Sequence, residues 1–323
     1  MSVELPPGLR AAIERELSGA SRRDLAARTA ATTEAYRAGR GSAAVIKGRD
    51  DALAYALARL PATYAADAAV FAEAQRVAPG FAPASLLDAG CGPGGGSWAA
   101  AEAWLSLERI AWFDASPPFL DMAARLAAEA ADPVRRAEAQ RGDLLAGPFP
   151  RSDLVLASYA LAEIPAAAQA QVIRGLWEAC DGVLALVEPG TPAGYARILA
   201  ARGALIAAGA RILAPCPHEA ACPLVAPDWC HFSVRLPRSR DHRLAKGAEA
   251  SFEDEKFAYL LAARPQVEAQ IPAGRILAHP RAGKPGIEFK VCEKGASQLH
   301  FVARRDKSAH TRARRLGWGD AWP

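Results

Sequence analysis

The first 80 residues of the chain place apolar and polar positions at helical spacing. Apolar residues recur every three to four positions in three segments, 9–17, 50–60 and 65–77. Ser21 occupies the position expected of a helix N-cap, and Pro61 interrupts the pattern between the last two segments. This pattern predicts an N-terminal helical module over residues 1–80.

The pattern changes at Ser85, where short apolar runs begin to alternate with longer amphipathic segments. Strand character is found in 86–88, 153–158 and 182–188, and in a further run that ends at Asp114. A helix rich in alanine is predicted to begin at Thr191 or Pro192. Because strands that alternate with helices form parallel sheets covered on both faces, we predict an α/β core over residues 81–212.

Residues 213–323 follow a third pattern. The stretch 214–235 carries four prolines, so it cannot form a continuous helix or a central strand. A strand is predicted at 257–263, and three further short β runs are predicted within 274–305. The basic end, 313–323, is predicted to be poorly ordered. We expect a cysteine-rich loop, a basic segment and a small β-rich C-terminal unit.

Composition favours a soluble globular protein, because apolar residues make up 51% and charged residues 23% of the 323 residues. Arginines interrupt the most apolar segment, so no run of about 18 apolar residues predicts a membrane span. The N-terminal segment resembles neither a signal peptide nor a transit peptide. We expect a monomeric intracellular protein without membrane contact, whose six irregularly spaced cysteines serve thiolate chemistry rather than disulfides.

The net charge of +4 is concentrated in the C-terminal part of the chain. Six Lys/Arg and two Asp lie in 301–323, and a second group of cationic residues follows the cysteine-rich stretch. The two basic segments, 235–246 and 304–315, predict contact with a polyanionic partner. Ordinary solvated surface charge is the alternative for each segment.

The glycine-rich turn after the first strand carries the candidate cofactor chemistry. It reads D-x-G-x-G-x-G, and this form resembles class I S-adenosylmethionine (SAM)-dependent methyltransferases. Glycines let the backbone approach a ligand, and a helix N-terminus offers free N–H groups to a carboxylate. An acidic residue that ends the second strand can accept both ribose hydroxyls, and Asp143 can approach an adenine amino group. The predicted cofactor residues are Asp88, Gly90, Gly92, Gly94, Asp114 and Asp143.

The loop after the fourth strand, where methyltransferases keep catalytic groups, reads SYALAEIP. It contains neither the Asn-Pro-Pro-Tyr sequence of amino-methylating enzymes nor a Pro-Cys nucleophile. Tyr159 and Glu163 are the polar candidates, and Glu163 also fits an exposed helical position. The sequence therefore leaves the methyl acceptor, and catalysis itself, open.

The cysteines of the 214–235 stretch are candidate metal ligands. Cys216 and Cys222 are separated by five residues, Cys222 and Cys230 by seven, and Cys292 is a distant fourth candidate. Thiolates suit zinc or an iron–sulfur cluster, and the absence of a C-x2-C pair fits a zinc ribbon poorly. His218 and His231 would be needed for a mixed zinc site. Unmetallated buried thiols are the further alternative, and they are the interpretation for the two remaining cysteines, Cys91 and Cys180.

Several stretches together resemble the mitochondrial small-ribosomal-subunit methyltransferase-like family. They are LARLPATYAA, EPGTPAGYARILAARG, the CPH…CPL…DWCHF combination, EDEKFAYLL and WGDAW, and the resemblance extends from about residue 50 to the end. It implies a methyltransferase fold that acts on the small ribosomal subunit during maturation. It also implies a 4Fe-4S cluster on Cys216, Cys222, Cys230 and Cys292, with zinc as the less favoured metal.

The resulting hypothesis is a SAM-binding, cluster-containing protein that acts on small-subunit rRNA through its two basic segments. One alternative is an assembly factor that binds rRNA without methyl transfer, and another is a methyltransferase of a protein or a small molecule. The composition and the N-terminal segment favour a cytoplasmic bacterial member, whereas the eukaryotic relatives are mitochondrial.

Overall fold

The structure is a computed structural model that describes residues 2–323, and an eight-stranded mixed sheet forms its centre. The sheet order is β3-β2-β1-β4-β5-β8-β6, and β7 pairs with the free part of β8. The first five strands are parallel, whereas β8 is antiparallel to both of its neighbours, β5 and β6. The strands of this sheet are β1 Ser85–Ala89, β2 Arg109–Asp114, β3 Glu138–Arg141, β4 Ser152–Ser158, β5 Cys180–Pro189, β6 Arg211–Ala214, β7 Phe232–Pro237 and β8 Phe252–Ala263.

Helices cover both faces of this sheet. They are α1 Pro7–Glu16, α2 Arg22–Arg37, α3 Arg49–Ala58, α4 Leu60–Val77, α5 Gly95–Ala103, α6 Pro117–Ala127, α7 Ala166–Ala179, α8 Pro192–Ala207 and α9 Arg240–Lys246, whereas α10 Lys307–Ala313 belongs to the C-terminal unit. Successive strand residues point to opposite faces, so Leu86 joins the core formed with α1–α6, and Leu87 joins the core formed with α7 and α8. The two-sided burial explains why these strands read as continuous apolar runs.

The N-terminal segment is helical, and its helix boundaries differ from the expected ones at one place. Ser21 caps α2, accepting a hydrogen bond from the Asp24 N–H at 3.3 Å. Pro61 lies in the first turn of α4, and the break between α3 and α4 falls at Arg59. The predicted break between two helices is therefore present, but it falls two residues before Pro61, because a proline in the first turn removes no intrahelical hydrogen bond and can belong to the second helix.

The C-terminal unit is a second, five-stranded sheet with the order β10-β11-β9-β13, and β12 pairs with β11. Its core contains Ile276, Phe289 and Val291, and α10 adds Ala313. The prediction of a poorly ordered end is wrong for 321–322, because this pair of residues returns as β13 and pairs with β9. The strands of this unit are β9 Gly274–Ile276, β10 Arg281–Ala282, β11 Gly286–Glu293, β12 Ala296–Ala303 and β13 Ala321–Trp322.

A buried arginine joins this second sheet to the rest of the molecule. Arg275 in β9 is 1% exposed and donates to the carbonyl oxygens of Pro215 at 3.0 Å and Gly319 at 2.8 Å. Its guanidinium also pairs with Glu73 of α4. One side chain thus connects a core helix, the start of the cysteine-rich loop and the C-terminal end. Within residues 2–323, no helix has the length and apolar character needed to cross a bilayer.

Candidate functional site

A glycine-rich turn joins β1 to α5 at the carboxyl edge of the large sheet. Gly90 has a φ of +75°, and a Cβ there would lie 2.8 Å from the Cβ of Ala160, so only glycine fits. Gly92 has a φ of +53°, and a Cβ there would meet no described atom within 4 Å. The turn therefore packs closely against its neighbouring loop at Gly90 and borders open space at Gly92.

The acidic residue at the end of β2 is held against this turn. Asp114 Oδ2 accepts a hydrogen bond from the Gly92 N–H at 2.8 Å, and its Oδ1 accepts one from the Ser116 N–H at 2.8 Å. Burial raises the pKa of Asp114, and these two backbone hydrogen bonds partly oppose the rise. Each carboxylate oxygen has a second lone pair, so Asp114 can still accept hydrogen bonds from a ligand hydroxyl.

Asp88 and Gly94 lie behind the turn. Asp88 Oδ2 accepts a hydrogen bond from the Ser97 hydroxyl at 2.7 Å, and Ser97 Oγ accepts one from the Trp112 indole N–H at 2.9 Å. Burial raises the pKa of Asp88 to about 6. Gly94, with a φ of +83°, directly precedes α5. The hydrogen bonds of Asp88 and Ser97 thus tie β1 to α5 and β2 behind the turn.

A cleft of about 660 Å³ opens beside the turn. Its volume falls within the range of about 300–1,000 Å³ that is usual for small-molecule sites. It lies where the strand order reverses between β1 and β4, which is where open α/β sheets bind ligands. Sequence-predicted site residues that line it are Gly90, Gly92, Asp114, Asp143, Tyr159 and Glu163.

The N-terminal helices form the outer wall of this cleft, which sequence reasoning did not predict. Tyr36 at the end of α2, Ser42 and Lys47 in the following loop, and Tyr55 of α3 all line it. The Tyr55 ring packs edge-on against Phe119 of α6, with ring centroids 4.9 Å apart. Helical spacing identifies the apolar face of such helices but not the surface that the face will cover, so the sequence carried no signal for this wall.

Tyr159 sits at the end of β4 in a left-handed conformation with a φ of +56°, which is uncommon for a residue with a side chain. Its hydroxyl donates to Glu255 Oε1 at 2.8 Å. Burial raises the pKa of Tyr159 well above its usual value, and the nearby Glu255 carboxylate raises it further. The phenol therefore remains protonated at neutral pH, with its proton directed at Glu255.

Glu255 was not among the predicted site residues, although the sequence contained a signal for it. Glu253, Glu255 and Phe257 alternate along β8, and Phe257 is buried, so both carboxylates point to the inner face. Burial raises the pKa of Glu255, and the Arg59 guanidinium opposes that rise. A strand that places two carboxylates on its buried face predicts a polar site there.

The four predicted metal ligands line a single cavity beside α8 and β8. Cys216, Cys222 and Cys230 come from the loop between β6 and β7, and Cys292 comes from β11. The Tyr195 hydroxyl lies 3.1 Å from Cys222 Sγ. All six cysteines of the chain are unpaired thiols, and Cys91 and Cys180 belong to the two cores of the large sheet.

Two buried guanidinium groups face the same cavity. Burial raises the pKa of Cys216 and Cys292, and Arg202 and Arg275, which both line the cavity, partly oppose the rise. Arg202 Nη2 donates to the carbonyls of His218 at 2.7 Å and Ala220 at 2.9 Å, whereas its Nε is buried without a hydrogen-bond partner among the described residues. Positive charge beside a cavity lined largely by apolar residues favours an anionic occupant.

The geometry also bears on the kind of metal. Among residues 2–323, no three His, Cys, Asp or Glu side chains are arranged to hold a single ion. His218 Nε2 lies 3.4 Å from Cys292 Sγ. His231 instead stacks on Trp229 at a centroid distance of 5.0 Å and contacts Trp318 edge-on at 4.9 Å. A mixed zinc site that uses both histidines does not fit this arrangement.

The two basic segments differ in how their charges are compensated. In 235–246, Arg235 pairs with Asp254 at 2.7 Å, and both Arg238 and Lys246 pair with Glu253, at 3.2 and 2.5 Å. In 304–315, the six Lys/Arg side chains are exposed and form no ion pair with any described residue. Arg240 and Arg243 form no ion pair with a described residue, so the positive charge is partly compensated in 235–246 and uncompensated in 304–315.

The sheet order and the glycine-lined cleft define the class of the protein. Parallel strands in the order 3-2-1-4-5, followed by an antiparallel strand inserted before the last one, form a class I methyltransferase fold. The Rsm22 family, described as mitochondrial small ribosomal subunit Rsm22, matches residues 49–323. The chain belongs to this family, which confirms the resemblance that the sequence motifs indicated.

A human protein is similar to this chain over most of the chain's length. The human ribosome assembly protein METTL17, mitochondrial, is 29% identical over 289 residues, which cover 84% of this chain. The match spans 62% of the length of that relative. Solved structures with similar folds include a magnesium protoporphyrin IX methyltransferase from Synechocystis with bound SAM (18% identity, 63% of this chain and 80% of that one, TM-score 0.42). Another is a TehB-like SAM-dependent methyltransferase from Corynebacterium glutamicum (16% identity, 61% and 87%, TM-score 0.39).

Proposed function

We propose that this protein binds SAM in the cleft, carries a 4Fe-4S cluster in the cysteine cavity and acts in maturation of the small ribosomal subunit. The observation that carries the proposal is the gathering of Gly90, Gly92, Asp114 and Asp143 around one cleft at the strand-order reversal. The family assignment supports the ribosomal part, and so does the name of the human relative, a ribosome assembly protein.

Four of the predicted residues line the cleft and would contact the cofactor there. The backbone at Gly90 and Gly92 would border the methionine part, Asp114 would accept the ribose hydroxyls, and Asp143 would face the adenine amino group. Asp143 is exposed, and its Oδ1 accepts a hydrogen bond from the Leu145 N–H at 2.9 Å, which orients the carboxylate. When bound, SAM supplies an electrophilic methyl group. Tyr36 and Tyr55 would shield this group from water on the side of the N-terminal helices.

The proposal of a cluster rests on the four cysteines that line one cavity. Soft thiolates are the ligands that iron–sulfur clusters take from proteins. Arg202 and Arg275 would balance the negative charge of a thiolate-ligated cluster. A cluster would cross-link Cys230 to Cys292, and by analogy with disulfides this loop closure contributes roughly 4 kcal/mol to stability.

A second function, ribosome assembly without methyl transfer, is favoured by the hydrogen bonds of the two catalytic candidates. The Tyr159 proton is already donated to Glu255, and the carboxylate of Glu163 is engaged by Tyr36 and Ser42. The Tyr159 phenol, which keeps its proton, does not serve as a general base, and both oxygens of the Glu163 carboxylate already accept hydrogen bonds from the wall of the cleft. On this alternative, SAM stabilises the folded cleft, and the protein acts on the subunit by binding alone.

The decisive experiment measures SAM binding and methyl transfer separately. Calorimetry should show that Asp114→Asn weakens SAM binding about tenfold or more, because a hydrogen bond to a charged group is lost. The matched control is Asp121→Asn, at an exposed position of α6. Absence of SAM binding by the unchanged protein would contradict the cofactor proposal.

Labelled methyl transfer to small subunits from a deletion strain then separates the two functions. Transfer that disappears in Asp114→Asn would favour an rRNA or subunit methyltransferase. SAM binding without transfer would favour the assembly factor. Transfer to a small molecule or a free protein, without salt-dependent binding to rRNA, would instead support the remaining alternative.

A further inference from the structure

One face of the C-terminal sheet contains both the cluster ligand Cys292 and two exposed apolar side chains. In the β11–β12 ladder, Cys292 pairs with Ser297, Lys290 with Leu299, and Glu288 with Phe301. Residues directly opposite one another in an antiparallel pair project to the same side. Leu299 and Phe301 therefore share a face with Cys292, whereas the buried Phe289 and Val291 point to the other face.

The cysteine-rich loop covers only one end of this face. Lys290 pairs with Asp228 of the loop, and Cys292 lines the cysteine cavity. The other end is open, since Leu299 is 66% and Phe301 57% exposed. A Cβ at Gly286 would lie 2.7 Å from the Phe301 ring, so the ring rests against the glycine backbone with its other side towards solvent.

The charge around the open end is strongly positive. Residues 274–323 contain eleven Lys/Arg and four Asp/Glu, a net charge of +7 in a chain whose total is +4. Arg304 and Arg305 follow β12 directly and are exposed. Neither they nor Lys307 forms an ion pair with a described residue. An apolar strip bordered by uncompensated guanidinium groups is complementary to nucleic acid rather than to an ordinary protein surface.

We propose that Leu299 and Phe301 form a stacking surface for one or two unpaired RNA bases, while Arg304 and Arg305 contact the adjoining phosphates. Single-stranded RNA is commonly bound in this way, with bases stacked on aromatic residues of an open sheet and cations along the backbone. The inference rests on the proposed ribosomal function and specifies the surface and the kind of RNA. Because the surface continues the face that holds Cys292, a cluster there would fix its orientation relative to the core.

The test uses the full-length protein and a fluorescein-labelled single-stranded RNA of about twelve nucleotides, compared with a duplex of the same sequence. Phe301→Leu preserves an apolar side chain over Gly286 but removes the aromatic face, whereas Phe301→Trp preserves that face. We expect Phe301→Leu to weaken single-strand binding about five- to twentyfold with an unchanged salt slope. Phe301→Trp should bind as tightly as the unchanged protein, or more tightly.

Two further variants complete the design. Phe252→Leu is the matched control, because Phe252 is also exposed (41%) but lies under the Arg235 guanidinium at 4.0 Å. It should leave RNA affinity unchanged. Arg304→Gln with Arg305→Gln should lower the affinity and make the salt dependence shallower, by about 1.4 in the slope of log K against log[salt] for two lost phosphate contacts on a single strand.

Three outcomes would overturn the inference. In the first, Phe301→Leu and Phe252→Leu weaken RNA binding equally. In the second, Phe301→Leu weakens binding to single-stranded and duplex RNA equally. In the third, Phe301→Leu leaves RNA binding intact but weakens binding to small subunits. The last result would identify a protein partner for this face. Failure of the proposed function is distinguishable, because the unchanged protein would then bind neither SAM nor small subunits. If it binds both while Phe301→Leu behaves normally, only the stacking surface is refuted.

Discussion

The Glu163 carboxylate accepts a hydrogen bond from the Tyr36 hydroxyl at 3.0 Å, joining residues that are 127 positions apart. Its other oxygen accepts hydrogen bonds from the Ser42 N–H at 3.0 Å and the Ser42 hydroxyl at 2.7 Å. A residue that the sequence offered as a catalytic candidate thus holds the N-terminal helices against the core. It does so at the rim of the cleft, where these helices form the outer wall.

Loss of this contact should loosen the wall of the cleft. We expect Glu163→Ala to accelerate amide hydrogen exchange in 36–47 roughly fivefold, which corresponds to about 1 kcal/mol for exposed hydrogen bonds. Hydrogen-exchange mass spectrometry measures this effect. Glu34→Ala, at an exposed position of α2, is the control and should leave exchange unchanged. Equal exchange in both variants would mean that packing alone holds the wall.

The six cysteines should divide into two sets when iron and sulfide are measured after anaerobic purification. Replacement of any cavity cysteine by serine should sharply reduce both contents and lower the free energy of unfolding, because a cluster ligand is lost. Cys91→Ser and Cys180→Ser serve as controls, since these thiols lie in the cores of the large sheet. One zinc per chain without iron would contradict the cluster. The replacements in the first set are Cys216→Ser, Cys222→Ser, Cys230→Ser and Cys292→Ser.

Arg275 should be among the most sensitive positions for stability. Arg275→Met removes its hydrogen bonds to Pro215 and Gly319 and leaves Glu73 without its buried partner. We expect a loss of about 3 kcal/mol or more in urea unfolding. Arg281→Met, at an exposed position, should change stability by less than about 0.5 kcal/mol. Adding Glu73→Gln to Arg275→Met should recover part of the loss, and a purely additive result would contradict the coupling.

Stability should fall in mild acid because of His242. Burial, with Lys246 and Arg238 nearby, lowers the pKa of this imidazole from 6.5 to about 4, although Glu253, 3.6 Å from its Nε2, opposes the shift. Between these values the unfolded chain binds a proton that the folded chain does not. The neutral imidazole therefore stabilises the fold above pH 6.5, and this contribution is lost as the pH falls towards 4.

The loss should reach about 3 kcal/mol, measured as the difference in unfolding free energy between about pH 7 and pH 4.5. His242→Gln should flatten this dependence, because no buried imidazole remains to be protonated. His310→Gln in α10 is the control and should retain the full pH dependence. An unchanged slope in His242→Gln would assign the acid sensitivity to other groups.

Local sequence identified the glycine turn and the acidic strand end that bind a cofactor in this fold class. It did not identify all of the residues around the cleft. The glycines and Asp114 follow directly from strand ends and turn chemistry, so they were predictable. Glu255 and Tyr36 were not predicted, because Glu255 reaches Tyr159, and Tyr36 reaches Glu163, from an element far away in the chain. β8 likewise lies beyond residue 212, where the α/β core was predicted to end, yet it inserts between β5 and β6 in the large sheet.

The sequence by itself determined the alternation of strands and helices, the glycine turn, the four thiols and the family. These features depend on residue types at short spacing, where backbone preference and side-chain period act directly. Only the tertiary structure decided that β8 pairs with three of the five cations in 235–246 while 304–315 remains uncompensated. It also decided that Phe301 shares a face with Cys292. Such relationships depend on which distant segments meet, and the packing of the whole core fixes them.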